Sequence, residues 1–342
     1  MERVELACTT PGAPPRLEIH RRDLRLPGPG QVLVRIFATS VNPIDAKRAA
    51  GYGRRLLSLK GAGRFPLVLG NDLAGRVEAV GEGVTRFTLG QAVYGLLATG
   101  RGGGAHATHA LVPESQLLAA EGCFAASTLA VLPYSFTTVW LSLRALGLTP
   151  ASADQAHVLI HGASGGLGRL ATQLLKSWGS SVTTICGRGQ RQLGFELGAA
   201  HSVERGPRCI EGLPDDFDAV LNYASWDDDA LLATRLGPQA FGQATTVHPL
   251  LGNFDRLRWF GGAWASRRDW RAASARVKAR APAARYAWTV FKPDRQALEA
   301  LALNLRDGRL SLPVGIAKPF DEACAVFNHV TTGQPGRAVL LP

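Results

Sequence analysis

HVLIHGASGGLGRLATQLLK, residues 157–176, decides how this chain folds. HVLIHG (157–162) is a short apolar run closed by glycine, which reads as a buried strand. From Leu167 the apolar positions 167, 170, 171, 174 and 175 recur at helical spacing. Between strand and helix stand Gly162, Ser164, Gly165, Gly166 and Gly168. Glycines there allow a tight turn and let backbone N–H groups approach a pyrophosphate at the positive end of the helix. A lone glycine motif is weak, and a glycine-rich structural turn is the alternative. Here the motif joins strand to helix, and a second strand, SVTTICG, begins 13 residues after Gly168.

Working outward, strand and helix keep alternating. RQLGFELGA reads as a helix, FDAVLNYA (217–224) as a strand, ALLATRLG as a helix and GQATTVHP (242–249) as a strand. RYAWTVF (285–291) and DRQALEALALNLRDG (294–308) give one more of each, and LPVGIAKPF, DEACAVFNHVTTG and RAVLLP a closing strand, helix and strand. Such alternation predicts a parallel sheet wrapped by helices. Before residue 124 the texture differs: VELACTT, RLEIHRRDL, QVLVRIFATSV, GNDLAGRVEAVGEGV, QAVYGLLAT and HATHALVPES are strand-like runs punctuated by Gly and Pro, as in a barrel-like β domain. FAASTLAVLPYSFTTVWLSLRALGL then reads as helix interrupted at Pro133.

The chain has 342 residues, 46% hydrophobic and 19% charged, enough for two well-filled domains and unlike a disordered, coiled-coil or collagen sequence. No run reads as a membrane span, and MERVELACTT reads as neither a secretory signal nor a transit peptide, which favours the cytoplasm. The five cysteines (8, 123, 186, 209 and 324) are odd in number and form no CxxC, against a cysteine zinc cluster or a disulfide framework. The net charge of +11 is concentrated, with residues 254–295 holding eleven Arg/Lys against three Asp. No zinc finger or RNP pattern accompanies it, so nucleic acid is not the expected partner; a solvated Arg-rich helix is the plain reading.

After the second strand comes ICGRGQR, with no acid before Glu196 and with Arg188 and Arg191 in its place. An NAD site usually ends this strand on Asp or Glu, whereas guanidinium groups suit the 2′-phosphate of NADPH. Arg205, after the next short strand, is placed to close the same pocket. In the β-rich part, SVNPIDAKRAAGYG (40–53) sets Asn42 and Asp45 around a proline turn, with Tyr52 following a glycine. Asn can hydrogen-bond a carbonyl or carboxamide, and Tyr can donate a proton to an enolate. Alone, the segment would be an ordinary turn and helix cap. His106 and His109 form HxxH on what reads as a strand, where i and i+3 face opposite ways, so no metal is expected there.

Taken together, LEIHRRDLRLPGPGQVLVRIFATSVNPID, FPLVLGNDLAGRVEAVGEGVTRFTLGQAVYG, AASTLAVLPYSFTTVW, GASGGLG and RDGRLSLPVGIAKPFDEACAVFNHVTTGQPGRAVLLP resemble the zinc-free quinone oxidoreductase branch of the medium-chain dehydrogenase/reductase superfamily. The resemblance implies an α/β protein: a GroES-like β-rich catalytic domain (1–123 and 310–342) split around a Rossmann doubly wound parallel sheet (124–309), with NADPH between them. It implies cofactor contacts at the phosphate loop Ser164, Gly165, Gly166 and Leu167. Thr138 would lie near the nicotinamide, with Thr246 and Val247 by its ribose. Gly187, Arg188 and Arg205 would face the 2′-phosphate, Gly187 standing where relatives often carry Ser and Arg205 where they often carry Tyr. Tyr223 stands at a position often Asn, and Gln334 and Arg337 match a C-terminal turn that usually ends in Lys. Zinc-dependent relatives carry a Cys near Ser40 and a His-Glu pair after the glycine at 70; here Asn71 and Asp72 follow Gly70 and the Cys is missing, so no zinc is expected.

The expected activity is hydride transfer from NADPH to a small-molecule acceptor, a quinone or the activated C=C of an enone or enoyl thioester, with Asn42 and Tyr52 as the candidate catalytic residues. The rival reading is an NADPH-binding accessory protein of a biosynthetic complex, ubiquinone-type by the resemblance. It would use Trp259, Trp264 and Trp270 among the arginines of 254–295 as an interface. Peripheral membrane contact and a homodimer stay open.

Overall fold

A computed structural model describes residues 2–100, 103–122 and 124–342; Cys123 lies outside the described residues. The N-terminal part supplies β1 (Glu2–Thr10), β2 (Arg16–Asp23), β3 (Gln31–Val41), α1 (Pro43–Ala49), α2 (Arg54–Leu57), β4 (Leu67–Val68), β5 (Asp72–Val80), β6 (Ala92–Leu96), β7 (His109–Pro113) and β8 (Leu117–Ala119). Strands β2-β1-β4 form a small sheet. A larger one runs β15-β16-β3-β5-β6-β8, with β7 also pairing β3. Its first two strands, β15 (Val314–Pro319) and β16 (Arg337–Leu341), come from the far end of the chain, joined by α11 (Ala323–Thr331). This is the GroES-like part. The C-terminal return matters for the site, because it carries Arg337 back beside Val41, the partner of Ala338 in the ladder.

The middle of the chain supplies α3 (Ala126–Leu129), α4 (Pro133–Leu146), α5 (Pro150–Ala153), β9 (His157–His161), α6 (Gly166–Ser177), β10 (Ser181–Cys186), α7 (Arg191–Glu196), β11 (His201–Glu204), β12 (Ala219–Asn222), α8 (Asp229–Ala233), β13 (Gly242–Thr245), α9 (Leu250–Arg280), β14 (Arg285–Trp288) and α10 (Arg295–Arg306). Its six strands pair entirely in parallel in the order β11-β10-β9-β12-β13-β14. That order reverses direction at β9, leaving a crevice at the carboxyl ends of the strands where Rossmann folds take ligands. Valine and leucine in β9, β10 and β12 are buried on both faces, which is why these strands read as continuous apolar runs rather than alternating ones.

Several sequence expectations shift. Strand β14 stops at Trp288, because Phe291 leaves the sheet to pack on Tyr134, ring centroids 4.3 Å apart. His106 is not on a strand; it sits in a bend before β7, its Nε2 3.0 Å from the Ser40 carbonyl oxygen, while the His109 Nε2 meets Glu78 at 2.7 Å. The two histidines are thus committed to different partners. The stretch Ala126–Leu146 also corrects the reading of no span-like run: it is long and apolar enough to cross a bilayer by composition, but 72% of its most apolar window is buried inside the fold as the central helix. Pro133 occupies the first turn of α4, where its missing N–H costs nothing.

Candidate active site

The glycine turn is built for close approach. Gly162 has φ +90°, and a Cβ on Gly168 would lie 2.3 Å from the Gly162 carbonyl oxygen, so α6 starts pressed against the end of β9. Gly165 caps α6 without any side-chain hydrogen bond, so the N–H groups of the first helical turn, at Gly166 and Leu167, have no helical acceptor. The Ser164 Oγ accepts the Gly187 N–H at 2.6 Å, tying the turn to the end of β10. Facing this turn is the Gln334–Arg337 turn, and the two enclose a cleft of about 230 Å³ also lined by Arg169 and Gln190. Of the residues expected at the cofactor, Ser164, Gly165, Gly166, Gln334 and Arg337 are brought together here.

Arg337 organises the floor. Its guanidinium is held so close over α6 that a Cβ on Gly166 would lie 2.8 Å from its Nη1. Its Nη2 donates to the Asn42 Oδ1, and its buried Nε has no hydrogen-bond partner among the described residues. Burial lowers its pKa, opposed by Asp72 and Asp45. Below it lies a network that the sequence did not announce. The Asp72 Oδ2 accepts from Ser40 Oγ at 2.5 Å and from Asn42 Nδ2 at 3.0 Å, while its Oδ1 accepts the Tyr134 N–H at 2.6 Å. Asp45 in turn accepts the Asn42 N–H at 2.8 Å and the Gly70 N–H at 3.0 Å. Complete burial pushes Asp72 up to about 6 despite these donors and Arg337. The Asn42 amide is therefore fully used by Arg337, Ser40 and Asp72, and positions Arg337 instead of presenting free groups to an acceptor.

Tyr52 lies beyond the C-terminal end of α1, whose seven residues span about 10 Å from the Asn42 end. Its ring packs on α9, with its Cε2 3.3 Å from where a Gly252 Cβ would stand, and burial raises its hydroxyl pKa, with the Gly252 backbone hydrogen bond opposing. The neighbouring Gly53 and Arg55 N–H groups donate to Asp255 of α9 at 2.5 and 3.0 Å, which fixes this loop.

The remaining expected positions lie at or near the strand ends. Gly187 and exposed Arg188 follow β10. Arg205 is also exposed, but its Nη2 donates to Asp228 at 2.9 Å, and Arg191 Nε donates to the Ser202 carbonyl at 2.9 Å, so of the three arginines Arg188 is the one without such a tie among the described residues. Thr246 and Val247 follow β13, their N–H groups donating to the Asn222 carbonyl and Thr245 Oγ1. The Thr138 hydroxyl turns back to the Tyr134 carbonyl at 2.8 Å. The Tyr223 hydroxyl is enclosed beside Ser142 and makes no hydrogen bond among the described residues; burial raises its pKa. His248 was not anticipated. It stacks flat on Trp288 at 4.8 Å, burial lowers its pKa to about 4, and its Nε2 sits 3.3 Å from the Thr289 carbonyl oxygen. Its Nδ1, neutral and without a partner among the described residues, is thus a buried acceptor at the strand ends.

Ser40 and Asp72, at and near the positions where zinc-dependent relatives place ligands, are bonded to each other, and among the described residues no three His, Cys, Asp or Glu side chains converge as a metal site.

Residues 28–122 match the alcohol dehydrogenase GroES-like domain. The mitochondrial NAD(P)H oxidoreductase RTN4IP1 of Drosophila melanogaster is 30% identical over 322 residues, covering 89% of this chain and 77% of that protein. The chain belongs to the quinone oxidoreductase branch of the medium-chain dehydrogenase/reductase superfamily. The chloroplastic quinone-oxidoreductase QR1 of Triphysaria versicolor is 31% identical over a shorter span, 58% of this chain and 61% of that one. Among solved structures, the quinone oxidoreductase of Coxiella burnetii superposes with a TM-score of 0.82 over 100% of both chains at 20% identity, and the CurK enoyl reductase with 0.81 over 99% of both at 20%. Those two likenesses establish the shared fold. As a member of this superfamily the chain is an oxidoreductase.

Proposed function

We propose that the protein is an NADPH-dependent reductase that works without zinc and passes hydride to a quinone or to the activated C=C of an enone or enoyl thioester. The observation that carries the reading is the half-buried cation over an uncapped helix. Arg337 and the α6 N-terminus are both positive, they face the same cleft, and the Arg337 Nε is unpartnered among the described residues. Two like charges held together call for an anion between them, and a diphosphate supplies it. The relatives' names, NAD(P)H oxidoreductase and quinone-oxidoreductase, support the same assignment.

In this reading Gly165, Gly166 and Leu167 hold the diphosphate through backbone N–H groups, and Arg337 completes the anion site while Asn42 and Asp72 keep its side chain in place. Arg188 takes the 2′-phosphate, with Arg205 reaching it only by sharing Asp228. The bound cofactor supplies the hydride. The chain contributes orientation and a dry site, with Tyr134, Phe291 and Trp288 as its apolar material. A reduced quinone takes its protons from water, whereas a reduced enone needs a donor, and Tyr52 is the candidate hydroxyl. Titration of the protein with NADPH and NADH tests the cofactor assignment, with tighter binding of NADPH as the expected result. Equal affinities would remove Arg188 from its role.

A further inference from the structure

We propose that the face of α9 bearing Phe260 and Trp264 docks on an anionic lipid surface. The helix carries eight Arg/Lys against two acids, Asp255 and Asp269. Both acids are engaged: Asp255 accepts the Gly53 and Arg55 N–H groups, and Asp269 accepts from Asn253 and pairs with Arg268 at the surface. The buried stripe of the helix is made of small residues, Gly262, Ala265, Ser266, Ala273 and Val277, so its large side chains are left on the outside. Phe260 is 94% exposed and Trp264 66%, and they lie four apart, with Arg267 and Arg271 continuing the same face. At Arg258 the backbone adopts φ +61°, ψ −163°, a strained conformation for a residue with a side chain, and the kink sits two residues before Phe260.

Charge complementarity selects the occupant. Exposed aromatic rings beside arginines are the composition of interfacial helices, rings at headgroup level and guanidiniums on phosphates. A second copy brought onto this face would set arginines against arginines. Asp255 of the same helix also pins the Tyr52 loop.

The test is flotation of the whole protein with two kinds of vesicle, pure phosphatidylcholine and phosphatidylcholine mixed with phosphatidylglycerol. The wild type should float with the mixed vesicles and remain below with the neutral ones. Replacing both arginines (Arg267→Gln with Arg271→Gln) should weaken partitioning about 25-fold, at about fivefold for each arginine near an anionic surface. Replacing both rings (Phe260→Ser with Trp264→Ser) should weaken it at least about tenfold, because buried apolar area is lost. Both pairs are exposed, so folding should survive, and quenching of wild-type tryptophan fluorescence by brominated lipid gives a reading that needs no variant. Wild type that ignores mixed vesicles would overturn the proposal, and so would floating that is insensitive to the ring replacements. A dimer abolished by those replacements without any vesicle binding would assign the face to self-association and overturn it as well, as would saturable binding of an acidic protein in place of lipid.

Discussion

Arg337→Met separates the two tasks assigned to the half-buried guanidinium. Methionine keeps most of the length and apolar stem but removes the charge and the donor to Asn42. The first consequence is on binding. A hydrogen bond to a charged group contributes about 1.5–3 kcal/mol, so the diphosphate should bind about 10- to 150-fold more weakly, equally for NADPH and NADH because both carry it. The second is on stability and depends on pH. Asp72 is completely buried and pushed up to about 6 from 3.8, so holding it ionised costs about 3 kcal/mol at neutral pH. Because its folded pKa lies above its unfolded one, the native state binds the extra proton, and stability from this group is greatest below the unfolded pKa and declines as pH rises through about 6. Arg337, which reaches Asp72 through Asn42 and not as a direct ion pair, offsets part of that decline. Removing the charge that compensates a buried one costs up to about 3–5 kcal/mol. The variant should therefore lose roughly 6–20 °C in melting temperature near pH 8, at about 2–4 °C for each kcal/mol in domains of ~150–250 residues. Near pH 5 Asp72 is mostly protonated, and the loss should shrink to that of one hydrogen bond, about 1 kcal/mol. Calorimetric titration with both cofactors and melting curves at the two pH values measure this. An equal loss of melting temperature at both, with cofactor affinity unchanged, would refute the reasoning.

Arg188→Ala should weaken NADPH by about 10- to 150-fold and leave NADH nearly unchanged, while Arg205→Ala should cost less because Asp228 already holds that side chain; affinity titrations with both cofactors check it. Gly168→Ala should destabilise by at least about 1–3 kcal/mol, since its methyl meets backbone at 2.3 and 2.4 Å, whereas Gly165→Ala, whose nearest neighbour is at 3.5 Å, should fold normally and weaken cofactor binding; melting and titration together distinguish them. Tyr52→Phe should slow enone turnover by about 100-fold or more and leave quinone turnover unchanged if the hydroxyl donates the proton; unchanged enone kinetics would reduce Tyr52 to packing on Gly252.

Local patterns made the Rossmann part legible. The alternation of apolar runs and helical periods depends on neighbours in sequence, and β9, α6, β10 and β13 begin where the sequence reading began them, apart from one or two residues. The glycine turn was legible for the same reason. The Asp72 network was not, because its members stand 30 and 295 positions from Asn42 and no spacing rule links them. Asn71 and Asp72 drew attention only as replacements for zinc ligands. In the sequence Asn42 reads as an amide open to a carbonyl or carboxamide, because the closure of β16 beside β3, which delivers Arg337 to it, is a property of the whole sheet. Arg205 looked free for the same reason: its partner Asp228 lies past another strand. The kink at Arg258 left no mark in the sequence, since arginine there follows the charge pattern of its helix.

The central claim, NADPH-driven hydride transfer to a conjugated acceptor, is tested most directly by following loss of NADPH absorbance in the presence of the metal-stripped protein and a panel of quinones and enones. Robust turnover with at least one acceptor, faster with NADPH than with NADH and unaffected by chelator, is the predicted result. Tight NADPH binding with no turnover on any of them would contradict the account and leave the protein as a cofactor-binding accessory.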